Sequence, residues 1–173
     1  MCLNDKTVQA HTDALTEVYS RNYLNSAIIF PETGEWREKG RRYSLLILDI
    51  DKFKNINDKF GHDIGDAVLK AVADILKKHI KEYNFDRIIR YGGDEFIILY
   101  NNISNSALSK KAYKIAEAVK NTDLGLNPKP EISISIGGAY HKENGKNDYY
   151  SMLKKADENL YIVKEKKGNG CMV

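Results

Sequence analysis

Asp86-Arg87-Ile88-Ile89-Arg90-Tyr91-Gly92-Gly93-Asp94-Glu95-Phe96-Ile97-Ile98-Leu99-Tyr100 contains two β-prone runs, residues 86–91 and 96–100, joined by four residues that open on two glycines. A short Gly-led connection between such runs is a hairpin signal. The chain therefore turns back at Gly92 and carries two acids, Asp94 and Glu95, at the tip. Upstream, Tyr43-Ser44-Leu45-Leu46-Ile47-Leu48-Asp49-Ile50-Asp51 is a continuous apolar run ending in acids, which reads as a buried strand whose carboxyl end delivers carboxylates. Between the two, Ile64, Ala67, Val68, Ala71, Val72, Ile75, Leu76 and Ile80 recur at intervals of three and four, predicting an amphipathic helix from an Asp63 cap to about Lys81.

Past the hairpin, Ser104 as cap opens a second amphipathic helix over 105–120. A Pro-containing loop, 124–130, then leads into the alternating strand of Ile132, Ile134 and Ile136. The order is β-α-β-β-α-β, the ferredoxin-like arrangement of an α/β fold. Added helices are expected at the N-terminal side, near 11–24, and at the C-terminal side, near 149–166, with a last strand over 170–173. Residues 28–40 read as a loop, because Pro31-Glu32-Thr33-Gly34 carries turn chemistry.

The 173 residues are 42% hydrophobic and 29% charged, a profile of one globular domain over 1–173 that excludes disorder. The longest apolar runs are four residues, against the roughly 20 that a membrane-spanning helix needs. An excess of 27 basic over 24 acidic residues, +3, is too small for a nucleic-acid carpet or a polybasic membrane anchor, so any anionic ligand must meet a local site. Cys2 and Cys171 have no metal-ligand spacing, and residues 1–9 lack the apolar segment of a signal peptide, which together fit a cytoplasmic protein. His11, His62, His79 and His141 are scattered without a nucleophile partner, and the eleven tyrosines do not run with arginines as a stacking platform would.

If the first strand lies beside the hairpin, Asp49, Asp94 and Glu95 converge. Clustered carboxylates attract hard divalent cations, and a magnesium site that keeps positions for substrate phosphates suits phosphoryl or nucleotidyl transfer. Gly92 and Gly93 then let a triphosphate approach the backbone and let the turn take positive φ.

Set beside Asp51-Lys52-Phe53-Lys54-Asn55-Ile56-Asn57-Asp58 and Gly61-His62-Asp63-Ile64-Gly65-Asp66, the hairpin makes the chain resemble the GGDEF domain of diguanylate cyclases, which make cyclic di-GMP from two GTP. The resemblance extends to Asp13-Ala14-Leu15-Thr16, to Ser135-Ile136-Gly137, and to Ala156-Asp157 with Leu160-Tyr161 and Lys164. It implies a nucleotide-cyclase-like palm. Asp49, Asp94, Glu95 and the Ile50 carbonyl would be donors for two Mg2+ per GTP, with Mn2+ able to substitute. Glu95 is also a general-base candidate, and Asp94, Glu95 and Lys54 form the catalytic group. Asn57 and Asp66 would read the guanine edge, with Phe53, Gly92 and Gly93 also against the substrate. Lys54 and Lys164 would face the phosphates as point charges. A regulated homodimer and a sensor domain in a longer protein are the implied partners, with no nucleic acid and no membrane contact.

The chain departs from the family pattern at three places. Glu17 stands where the opening motif usually has Gly. Lys167-Gly168-Asn169 displaces a basic phosphate contact, for which Lys166 and Lys167 are candidate replacements. The product-binding Arg-x-x-Asp falls on Tyr83-Asn84-Phe85-Asp86, which keeps the acid and loses the Arg, so the product-inhibition site is degenerate. The expected function is a Mg-dependent diguanylate cyclase. The alternatives are a catalytically weak GTP-binding regulatory domain and a polymerase-like or mononucleotide-cyclase palm.

Overall fold

The computed structural model describes residues 11–37, 39–81, 84–141, 148–166 and 168–173; the readings on residues 1–9, Tyr83 and Lys167 lie outside them. One six-stranded sheet organises the chain, in the order β1-β3-β4-β2-β5-β6. Its strands are β1 (Tyr19–Ser20), β2 (Tyr43–Ile50), β3 (Arg87–Arg90), β4 (Glu95–Asn101), β5 (Ile134–Ala139) and β6 (Gly170–Met172). The four central strands pair antiparallel, as the ferredoxin-like order requires, and the two edge strands add in parallel.

The run at 43–50 is apolar on both faces because both faces are covered. Leu46, Leu48 and Ile50 join a core with Val68, Val72, Leu76, Leu108 and Ile115, from helices α2 (His62–Lys78) and α3 (Asn105–Lys120). Tyr43, Leu45 and Ile47 join a second core with Met152, Ala156 and Leu160 of α4 (Tyr149–Glu165). Gly137 lets α4 sit directly on β5: a Cβ there would stand 2.0 Å from the Ala156 carbonyl oxygen and 2.4 Å from the Leu160 nitrogen.

The N-terminal segment differs from the helix expected over 11–24. Thr16 donates through its backbone N–H (2.9 Å) and its hydroxyl (2.6 Å) to Asp13 Oδ1, closing a turn instead of continuing a helix. The chain then pairs as β1 with β3 and becomes helical only at Arg21–Tyr23, capped by the Ser20 hydroxyl, before widening into a π turn at Leu24–Ile28. Tyr19 and Tyr23 stack at 4.0 Å, and the Arg87 Nε donates to the Tyr23 hydroxyl at 3.4 Å. Tyrosine and arginine thus meet here across the fold although they are far apart in sequence.

Glu17 takes φ 60° in that turn, a left-handed conformation costly for a residue with a side chain, and its carboxylate gains only a long, exposed pair with the Lys77 ammonium at 3.8 Å, worth little. Glu17→Gly should therefore raise stability by about 0.5–1 kcal/mol, read as a higher urea midpoint at unchanged slope. A lower midpoint would show that the Glu17 side chain holds the turn.

A helix that periodicity did not reveal, α1 (Phe53–Phe60), follows β2 and buries only Ile56. Gly61, at φ 87°, separates it from α2; the cap of α2 is Gly61 and not Asp63, which lies in the first turn. The Ser104 cap of α3 is as expected, with its hydroxyl accepting from the Ala107 N–H at 3.3 Å. No helix among the described residues is long and apolar enough to cross a membrane.

Candidate active site

Strand register brings the acids together. Asp49 on β2 stands opposite Glu95 on β4 and opposite Ser135 on β5, and the Ile50 N–H donates to the Asp94 carbonyl oxygen at 3.3 Å. At the hairpin tip, the Tyr91 and Gly92 N–H groups both point to the Glu95 carbonyl, at 2.8 and 3.3 Å. The positive φ expected of Gly92 and Gly93 is not present. Gly92 instead makes room: a Cβ on it would stand 2.7 Å from Glu95 Oε2, whereas a Cβ on Gly93 would meet nothing within 4 Å.

Arg90 braces the tip, donating to the Gly93 carbonyl at 2.8 Å and to both Asp13 carboxylate oxygens at 3.0 and 3.2 Å. Burial alone would raise the Asp13 pKa, but the bonds from Thr16 and Arg90 hold it below the ordinary value.

Asp49 and Glu95 lie above the ordinary carboxylate range. Burial is the first cause for both; for Asp49 the charges of Asp94 and Asp51 add to it, and for Glu95 those of Asp49, Asp94 and Asp157. Lys164 opposes both shifts, with its ammonium 2.7 Å from Asp49 Oδ2. Among the described residues no three His, Cys, Asp or Glu side chains form a ready metal cage. The donors present are hard carboxylate and carbonyl oxygens, the ligand type that divalent magnesium prefers, and like-charge repulsion among them is what a bound cation would relieve.

Asp51 serves a different purpose. It accepts from the hydroxyls of Ser133 (2.7 Å) and Ser135 (2.6 Å) and from the Asn169 N–H (2.9 Å), tying the turn after α4 to the end of β2. Asp49, Asp51, Lys52, Lys164 and Gly168 line an open cleft of ≈ 270 Å³.

On the helical side, Asn57 lies over Gly65, where a Cβ would stand 1.8 Å from Asn57 Oδ1 and 3.3 Å from Phe53 Cζ. That Asn57 oxygen is buried without a hydrogen-bond partner, a cost that a ligand N–H would remove. Asp66 follows Gly65 directly and is exposed.

The family model described as diguanylate cyclase, GGDEF domain, matches residues 10–170. The chain belongs to the GGDEF domain family. It is 35% identical over 157 residues to diguanylate cyclase DosC of Escherichia coli, covering 91% of this chain and 34% of that protein. It is 36% identical to diguanylate cyclase A of Treponema denticola over 92% of this chain and 42% of the relative. The chain thus spans less than half the length of these relatives. Among solved structures, the GGDEF domain of DgcB from Caulobacter crescentus, in complex with c-di-GMP, superposes with a TM-score of 0.81. That pair is 29% identical and covers 99% of this chain and 95% of the other.

The GGDEF fold brings Asp49, Asp94 and Glu95 to one end of the sheet and sets Asn57 against Gly65, with Phe53 beside them. Lys54 is exposed and is not among the residues that line the cleft. His62 opens α2. Asp86, placed by the resemblance in the product-binding motif, is 3% exposed; its two oxygens accept from the Lys81 and Asn101 N–H groups at 3.0 and 3.1 Å. It is a structural tie. The Asp51 latch was missed by sequence reasoning, although Ser133 and Ser135, alternating with isoleucines on one strand, were the signal for it.

Proposed function

We propose that this GGDEF domain condenses two GTP into cyclic di-GMP with release of two pyrophosphates. The observation that carries this reading is the register that sets Asp49 opposite Glu95 at the hairpin. It gathers carboxylates whose mutual charge a divalent cation relieves. Asp49, the Ile50 carbonyl, Asp94 and Glu95 are the donors for two Mg2+ per GTP, or Mn2+ in its place. When bound, the metal neutralises triphosphate charge and lowers the pKa of the 3′-hydroxyl.

The remaining work falls to the chain's own residues. Asn57 and Asp66 hold the guanine, whose N1 and N2 hydrogens a carboxylate can accept and adenine does not present. Lys164, at the cleft wall, faces the phosphates. Glu95, at the hairpin tip opposite Asp49, receives the 3′-hydroxyl proton. That hydroxyl attacks the α-phosphate of GTP on a facing protomer, pyrophosphate leaves, and the reciprocal attack closes the ring. Each domain holds one GTP, so two must meet antiparallel; a sensor domain in a longer protein would govern that encounter on the cytoplasmic side. The buried Asp86 supports a degenerate product-inhibition site.

Gly168 favours a second reading, a catalytically weak GTP-binding regulatory domain. Its φ is 72° and a Cβ there would stand 2.8 Å from Asp51 Oδ1, so no basic side chain fits. Reaction order separates the two. A cyclase shows a specific rate with GTP and Mg2+ that climbs with protein concentration. GTP binding with no turnover at any concentration supports the regulatory reading.

A further inference from the structure

We propose that Lys52 grips the terminal phosphates of the bound nucleoside triphosphate, an assignment that rests on reading this site as a GTP site. Lys52 lines the cleft with Asp49, Asp51, Lys164 and Gly168. It sits at the head of α1 in a left-handed conformation, φ 54°, which sets its side chain apart from the helical rows that follow. The other charges in the cleft are engaged. Lys164 is paired with Asp49 at 2.7 Å, and Asp51 is saturated by two hydroxyls and the Asn169 N–H. No hydrogen bond or ion pair among the described residues holds the Lys52 ammonium, so it is the cleft cation available to a polyanion without first breaking a bond.

Among the described residues, the other basic side chains nearby are less suitable. The Gly168 wall cannot carry a side chain, because its Cβ would meet the carboxylate of Asp51. Lys166 lies on the far side of Gly168, in an adjoining pocket with Ile162, Val163 and Cys171. Lys54 is not among the residues that line the cleft. A lysine suits the task, since a compact charge with three donors serves phosphate oxygens arriving from several directions.

Calorimetry on the 173-residue chain in Mg2+ tests the assignment. The probes are a non-hydrolysable GTP analogue, pyrophosphate and, by competition, GMP. Lys52→Met keeps the aliphatic stem and should weaken the analogue and pyrophosphate by about tenfold, the effect of losing one charge-assisted phosphate contact. GMP affinity should stay unchanged, and Lys52→Arg should restore the other two. Unchanged analogue binding in Lys52→Met, or an equal loss for GMP, overturns the role of Lys52 while leaving the GTP site standing. Failure of the unmodified chain to bind the analogue overturns both.

Discussion

Asp49→Asn should lower turnover of GTP by about a thousandfold and leave the melting temperature unchanged or higher. A thousandfold corresponds to about 4 kcal/mol of transition-state stabilisation, the scale of losing a charged metal donor at the reacting phosphate. The stability half of the expectation comes from the site's electrostatics. Burial and the charges of Asp94 and Asp51 raise the Asp49 pKa even though Lys164 opposes them, so ionised Asp49 is a cost to the fold. A group whose folded pKa lies above its ordinary value of 3.8 contributes most stability below that value and loses it as pH rises toward the folded pKa. The benefit of Asn should therefore be seen at neutral pH and vanish near pH 3. The pair with Lys164, at side-chain exposures of 43% and 15%, is already counted in that balance and does not reverse it. Mg2+ should raise the melting temperature of the unmodified domain by mass action and raise that of the variant much less. Near-normal turnover by Asp49→Asn, or an equal thermal shift with Mg2+, would remove Asp49 from the metal site.

Gly65→Ala should do the opposite of what helix propensity dictates for function while obeying it for stability. In a helix interior the change normally stabilises by roughly 0.5–1 kcal/mol. Here the new Cβ would stand 1.8 Å from Asn57 Oδ1. That atom is the end of a rotatable side chain, so Asn57 swings away at little cost and the fold survives. Guanine then loses its amide partner. Leaving a buried polar group unpaired costs about 1–3 kcal/mol, so GTP affinity should drop tenfold to a hundredfold while ATP affinity hardly changes. Competition binding with both nucleotides reads this directly. Parallel loss of GTP and ATP would mean that Asn57 supports the loop and does not read the base.

The sequence made the central sheet legible because both of its faces are covered: a strand such as 43–50, buried on both sides, has no choice but continuous apolarity. The hairpin was legible from its glycines, although their function differs from the expected one, with Gly92 clearing space for Glu95 and not adopting positive φ. The N-terminal segment misled because Asp13 and Thr16 bond to each other in place of propagating a helix, and Arg90, 77 positions away, adds a long-range bond to Asp13 that no local pattern reveals. Helix α1 escaped notice because, at eight residues, its one apolar row of Phe53, Ile56 and Phe60 spans barely two turns, too short for the period to stand out. Among the site residues, the acids and Asn57 follow from motif positions. The Asp51 latch depends on three donors from residues 82, 84 and 118 positions away, which no local pattern connects.

Mass-spectrometric identification of the product formed from GTP and Mg2+ is the most direct test of two-domain cyclisation at this site. The expected result is cyclic di-GMP with two pyrophosphates released per product, absent with ATP and cut about a thousandfold in Asp49→Asn. Formation of a mononucleotide cyclic product, or of GDP and phosphate, would contradict it.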